Sequence, residues 1–72
     1  MNGKPETRSG AARYITERGY PTSPKTLAKF ATVGGGPVYR IFGNRAFYDP
    51  ADLDAWIAEK LSAPRRSTSE AA

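Results

Sequence analysis

Apolar side chains fall into four short groups along the chain, separated by Gly, Pro and polar residues. The first is Ala11, Ala12, Tyr14 and Ile15, which predicts a helix capped by Ser9 and running to about Arg18. Gly19 follows as a residue able to take the left-handed backbone of a helix end. After the connector Tyr20-Pro21-Thr22, the pair Ser23-Pro24 places an N-cap residue before a proline at the first helical position. The helix it starts is expected to reach about Thr32. Leu27, Phe30 and Ala31, spaced i, i+3, i+4, face the core, which leaves Lys25, Thr26 and Lys29 on the opposite side.

From Val38 to Tyr48 the pattern changes to alternation around Gly43-Asn44, a two-residue hairpin turn with Gly at its first central position. The register pairs Phe42 with Arg45, Ile41 with Ala46, Arg40 with Phe47 and Tyr39 with Tyr48. Tyr39, Ile41, Ala46 and Tyr48 then share an apolar face, while Arg40, Phe42, Arg45 and Phe47 share a mixed basic and aromatic one. The fourth group, Leu53, Trp56, Ile57 and Leu61, is the stripe of a last helix with Asp49 as N-cap and Pro50 at its first position.

Outside these groups the chain lacks apolar anchors. Residues 1–7 are expected to form a flexible arm and residues 63–72, opening with Ala63-Pro64, a disordered tail. That leaves one folding unit over residues 8–62, without internal repeats. Within these 72 residues a single small core is expected, with no room for a second domain. There is no Cys and no His, so disulfides, thiolate chemistry, imidazole catalysis and zinc ligation through either residue are absent. The expectation is a protein that acts by binding, not an enzyme, with no cofactor and no metal.

Charge sharpens this expectation. The chain carries 11 basic and 7 acidic residues, net +4. Residues 1–48 hold eight basic against two acidic side chains, net +6, whereas residues 49–72 hold three against five, net −2. Between Arg18 and Tyr48 there is no acid at all. A single-sign stretch of this length points to a polyanionic partner. No run of apolar residues approaches the ~18 needed for a membrane span, and mean hydropathy is −0.58. The chain start has no apolar stretch behind its charges, as a secretory signal would, and a cytoplasmic location is expected.

Three features invite other chemistry. Gly34-Gly35-Gly36 is followed by Pro37 and not by the Lys-Ser/Thr of a phosphate loop, so it reads as a connector. Asp49, Asp52 and Asp54 suggest a metal, but capping and the helix dipole account for the first two, and Asp54 is expected to face solvent. Trp56 shares a stripe with Leu53 and Ile57 and reads as a core anchor.

Two short helices, the second with basic and hydroxyl residues outward, followed by a basic hairpin and a third helix, make an α+β winged helix-turn-helix plan with the wing between helices 2 and 3. A helix fits the duplex major groove, and a narrow hairpin with Arg at its tip can contact phosphate or enter the minor groove. The segments Ala11-Ala12-x-Tyr14-Ile15, Ser23-Pro24-Lys25-Thr26-Leu27, Gly36-Pro37-Val38-Tyr39-Arg40-Ile41, Gly43-Asn44-Arg45 and the run from Tyr48 to Ile57 resemble the small excisionase and AlpA-like proteins. That family is related to the DNA-binding part of MerR regulators. Typical members join the first two helices by a tight Gly-x-Ser turn, where this chain has Thr16 to Thr22. They often carry Trp where Phe30 stands here.

The resemblance implies sequence-specific binding of double-stranded DNA. By position it assigns Ser23, Lys25, Thr26 and Lys29 to the recognition helix, and Arg40, Asn44 and Arg45 to the wing. It implies an excisionase, a recombination directionality factor that binds side by side on an attachment site, bends it and steers an integrase toward excision of a phage or mobile element. Phe42 and Phe47 are then candidates for self-association between neighbouring copies. An AlpA-like transcriptional regulator is the alternative within the same chemistry. From another class, the basic face could belong to a protein-interaction module that meets an acidic protein.

Overall fold

The computed structural model describes residues 3–61. Its elements are α1 (Arg8–Glu17), α2 (Pro24–Val33), β1 (Arg40–Phe42), β2 (Arg45–Phe47) and α3 (Pro50–Lys60), with the hairpin between α2 and α3. This is the α+β, winged helix-like order that the sequence predicts. The expected tail at 63–72 lies outside the described residues.

Helix α1 starts earlier than the sequence suggests. Thr7, not Ser9, is its N-cap: the Thr7 hydroxyl accepts from the Gly10 amide at 3.1 Å and its carbonyl accepts from the Ala11 amide at 2.7 Å. Both residue types cap well. The preceding backbone decides between them, because Glu6 is held extended against Tyr48, with Glu6 N donating to Tyr48 O at 2.7 Å and Tyr48 N to Glu6 O at 2.8 Å. The chain can turn into a helix only once it leaves that pairing. Within the segment expected to be a flexible arm, Glu6 is therefore docked as an extended residue against Tyr48.

Helix α2 forms as its caps dictate. Ser23 is the N-cap, its hydroxyl accepting from Thr26 N at 3.1 Å, and Pro24 opens the helix. Helix α3 likewise starts at Pro50 after Asp49. The Asp49 side chain makes no capping hydrogen bond, and its carbonyl takes the Asp52 and Leu53 amides, both at 3.0 Å.

The hairpin has the expected register, Phe42 opposite Arg45, Ile41 opposite Ala46 and Arg40 opposite Phe47. Gly43 has φ +68° and Asn44 a negative φ, so only a residue without a Cβ fits comfortably at the first turn position. The ladder ends at Arg40–Phe47; beyond it Tyr39 and Tyr48 still meet through their side chains, with ring centroids 5.7 Å apart, while the Tyr48 backbone pairs with Glu6 on its other edge.

The core consists of Ala11, Ala12 and Ile15 from α1, Leu27 from α2, Leu53 from α3, and Tyr48. Tyr14, Ala46, Trp56 and Ile57 pack around it. Of the hairpin face predicted to be apolar and inward, only Ala46 and Tyr48 reach this cluster. Ile41 stays 61 % exposed because the hairpin projects past the helices. Leu61, the expected end of the last stripe, lies just beyond α3 and is also exposed.

Trp56 is half-buried, edge-on to Phe30 at 5.8 Å, and donates its indole N–H to the Gly35 carbonyl at 2.9 Å. The glycine connector folds tightly over Phe30: a Cβ added at Gly36 would stand 2.6 Å from the Phe30 Cβ. Close approach explains Gly36, and positive φ, +93° and +95°, explains Gly34 and Gly35.

Tyr48 is 1 % exposed, and its hydroxyl accepts from Arg8 Nε at 3.1 Å. Truncating a buried aromatic costs about 3–5 kcal/mol, comparable with the whole stability of a domain this small, about 3–5 kcal/mol. Tyr48→Ala is expected to leave the chain largely unfolded at room temperature in far-UV circular dichroism. Tyr48→Phe, which removes only the hydroxyl, should fold with a loss of about 1 kcal/mol.

Candidate nucleic-acid interface

Helix α2 turns Leu27 into the core, and Ser23, Lys25, Thr26 and Lys29 are all exposed on its other side. The Ser23 and Thr26 hydroxyls lie 3.0 Å apart. One donates to the other, so the pair keeps a single O–H for an external acceptor. Ser23 is thus first a cap and only then a contact residue. A shallow, hydroxyl-rich groove of about 430 Å³, lined by Thr16, Pro21, Thr22, Ser23 and Thr26, opens at this end of the helix.

The connector before α2 is longer than a tight turn but held at several points. The Thr16 hydroxyl donates to Thr22 O and accepts from Thr22 N, both at 3.0 Å. The Thr22 hydroxyl donates to Tyr20 O at 2.9 Å. Gly19, at φ +102°, carries the chain round. These bonds fix where α2 starts relative to α1.

On the wing, Arg40, Asn44 and Arg45 are exposed. Arg40 Nη2 lies 3.8 Å from the Asp49 carboxylate, an ion pair at the edge of useful distance that leaves its side chain 79 % exposed. Phe42 is 80 % exposed, whereas Phe47 is half-buried and meets it edge-on at 6.3 Å.

The fold also brings residues to the wing that the sequence reading did not select. Thr7, Arg8 and Ser9 line a groove of about 380 Å³ with Asn44, Arg45 and Ala46. Lys4 and Pro5 line another, of about 520 Å³, with Arg40, Ile41, Phe42, Phe47 and Asp49. The Glu6–Tyr48 pairing and the Arg8–Tyr48 hydrogen bond tie this segment to the end of β2, and no local motif announces either.

The other basic residue near the connector is neutralised. Arg18 Nε lies 3.3 Å from Asp54 Oδ1, and its guanidinium sits 3.6 Å from the Tyr14 ring centroid. Tyr14 OH donates to the same Asp54 oxygen at 2.8 Å. Asp54 therefore does not face solvent alone, as expected from sequence, but ties α3 to α1. Asp52 occupies the first turn of α3, as its dipole favours. Among the described residues no three His, Cys, Asp or Glu side chains gather to hold a metal, and no helix is long and apolar enough to cross a membrane.

Compared with protein-family models, curated proteins and solved structures, the chain gives no significant match to any of them.

The Tyr14–Asp54 bond yields a pH dependence. Partial burial, then the hydrogen bond to and charge of Asp54, raise the Tyr14 pKa above its ordinary value, with Arg18 opposing. A raised folded-state pKa stabilises fully below the unfolded value and is lost as pH rises through the folded one. Tyr14→Phe is expected to cost about 0.5–1 kcal/mol at neutral pH, given the exposure of the pair. In thermal melts, the gap between wild type and variant should stay constant to about pH 9 and narrow above about pH 10.

Proposed function

We propose that this protein is a sequence-specific double-stranded DNA-binding protein of the excisionase type, acting by binding and bending and not by catalysis. The observation that carries the reading is that Lys25, Thr26 and Lys29 of α2 and Arg40, Asn44 and Arg45 of the wing are all exposed, with Asp49 beside Arg40 the one carboxylate paired with any of them among the described residues. Supporting it, Asp54 on α3 is already paired with Arg18 and Tyr14 and offers that surface no competing charge.

In this reading α2 enters the major groove. Lys25 and Lys29 reach phosphate or base edges, and Thr26 meets a base edge or a thymine methyl. Arg45 and Arg40 lie along the backbone or the minor groove, where the negative potential is strongest. One domain this small covers a modest interface, so several copies side by side on one site would supply the affinity. An integrase of the same mobile element is the protein partner, and the bacterial cytoplasm the setting.

Fluorescence anisotropy on a duplex selected from a random pool, titrated at several salt concentrations, tests the binding. Arg45→Ala and Lys29→Ala should each weaken binding on all sequences and flatten the log–log salt slope by roughly one unit. Thr26→Ala should leave the slope unchanged and relax base preference at one position. A wild-type slope near zero, or an unchanged slope for Arg45→Ala, would remove the wing assignment. For excision itself, recombination by the neighbouring integrase should shift toward excised product on adding the protein. A change in promoter output with no effect on recombination would favour a transcriptional regulator instead.

A further inference from the structure

Phe42 is the most exposed large apolar side chain among the described residues, at 80 %, and it stands next to the turn at the tip of the wing. A solitary exposed phenyl group is ordinary on a surface. This one has a setting that is not. Strand alternation puts it on the same face as Arg40, and its cross-strand partner is Arg45. Lys4 lines the groove beside it. Gly43 follows without a side chain, so the tip is slim on one flank of the ring, and Asn44 completes the turn.

The ring is also supported from behind. Phe47, half-buried, meets it edge-on with centroids 6.3 Å apart and planes at 73°. A two-residue turn and three consecutive cross-strand pairs hold the strands that carry both rings. An apolar side chain on a narrow, braced support, flanked by cations, has the attributes of a wedge for a base-pair step.

We propose that Phe42 inserts between base pairs from the minor groove and kinks the duplex, a proposal that rests on the DNA-binding reading above. Arg40 and Arg45 would hold the phosphates on either side of the opened step. Pyrimidine–purine steps, the easiest to unstack, would be preferred at that position without any hydrogen bond to the bases. Charge argues against the other occupant, a second copy of the chain docked face to face. That contact would bring Arg40, Arg45 and Lys4 close to their own images, and like charges across an interface are unfavourable.

The test uses the full-length protein and a duplex of about 30 base pairs, selected by the wild type from a random pool. The duplex carries a donor–acceptor pair at its ends and 2-aminopurine at the central pyrimidine–purine step. Wild type should shorten the end-to-end distance and brighten the unstacked 2-aminopurine. Phe42→Ala should lose both signals and about ten- to a hundredfold in affinity, with an unchanged salt slope because no phosphate contact is lost. Because Phe42 is outside the core, the variant should melt within a few degrees of wild type, which separates the effect from unfolding. Phe42→Trp should retain the bend.

A bend and 2-aminopurine signal unchanged by Phe42→Ala would overturn the wedge and leave DNA binding intact. So would a variant that bends a single site normally and loses only cooperativity between adjacent sites, which would return Phe42 to contact between copies. If the wild type binds no duplex at any salt concentration, both this proposal and the function proposed above fail.

Discussion

A chain whose described core amounts to two alanines, Ile15, Leu27, Leu53 and Tyr48 has little packing to distribute, and the last of these makes contacts in every direction. The Tyr48 ring is buried against the helices. Its hydroxyl takes Arg8 Nε at 3.1 Å, and its backbone exchanges both hydrogen bonds with Glu6. It also sits between the end of β2 and the start of α3, one residue before the Asp49 cap. One position thus sets the height of the wing above the helices, the path of the N-terminal segment and the origin of the last helix. A buried polar group is tolerated only when paired, and the Arg8 bond meets that condition while drawing a cation toward the wing.

This arrangement has an electrostatic consequence. The net charge of +4 is modest, but the structure separates it. Arg18 is held by Asp54 and stacked on Tyr14, which removes it from the basic surface and converts part of the acidic third helix into a tie to the first. Among the described residues the exposed cations of α2 and the wing have no such partners close by, except for Arg40, whose carboxylate partner Asp49 lies at 3.8 Å. Cations held apart from acids keep their long-range attraction for a polyanion, whereas paired ones contribute little beyond local order.

What could be read from sequence and what could not divides by the range of the interaction. Ser23-Pro24 and Asp49-Pro50 mark helix starts because capping chemistry is local, and both helices begin where those residues say. Gly43-Asn44 fixes the hairpin register for the same reason. Thr7 is not legible as the cap because the choice between it and Ser9 depends on Glu6 pairing with a residue 42 positions away. Asp54 is exposed as its position suggests, but its tie to Tyr14 is not legible because that partner is 40 residues distant. Ile41 has the right alternation for a buried face. Alternation says which side a residue is on, however, and not how far along the strand the core extends. The basic residues of α2 and the wing were legible as exposed. The approach of Lys4, Arg8 and Ser9 to the wing was not.

The exposure of the wing also bears on why the N-terminal segment docks at all. An isolated two-stranded hairpin is marginal in water, and with Ile41 and Phe42 both open to solvent this one gains little from burial. Ala46 and Tyr48 anchor only its base. The Glu6–Tyr48 bridge adds an extended residue where the hairpin meets the helices, and Gly43 supplies the positive φ that the turn at the far end requires. The wing is therefore fixed at its base, while toward its tip, which shares a groove with Thr7, Arg8 and Ser9, Ile41 and Phe42 stay open to solvent. Such a projection forgoes hydrophobic stabilisation in a chain that has little to give up. That cost is understandable if the projecting end, with Phe42, Asn44 and Arg45, completes its contacts in a groove outside the protein.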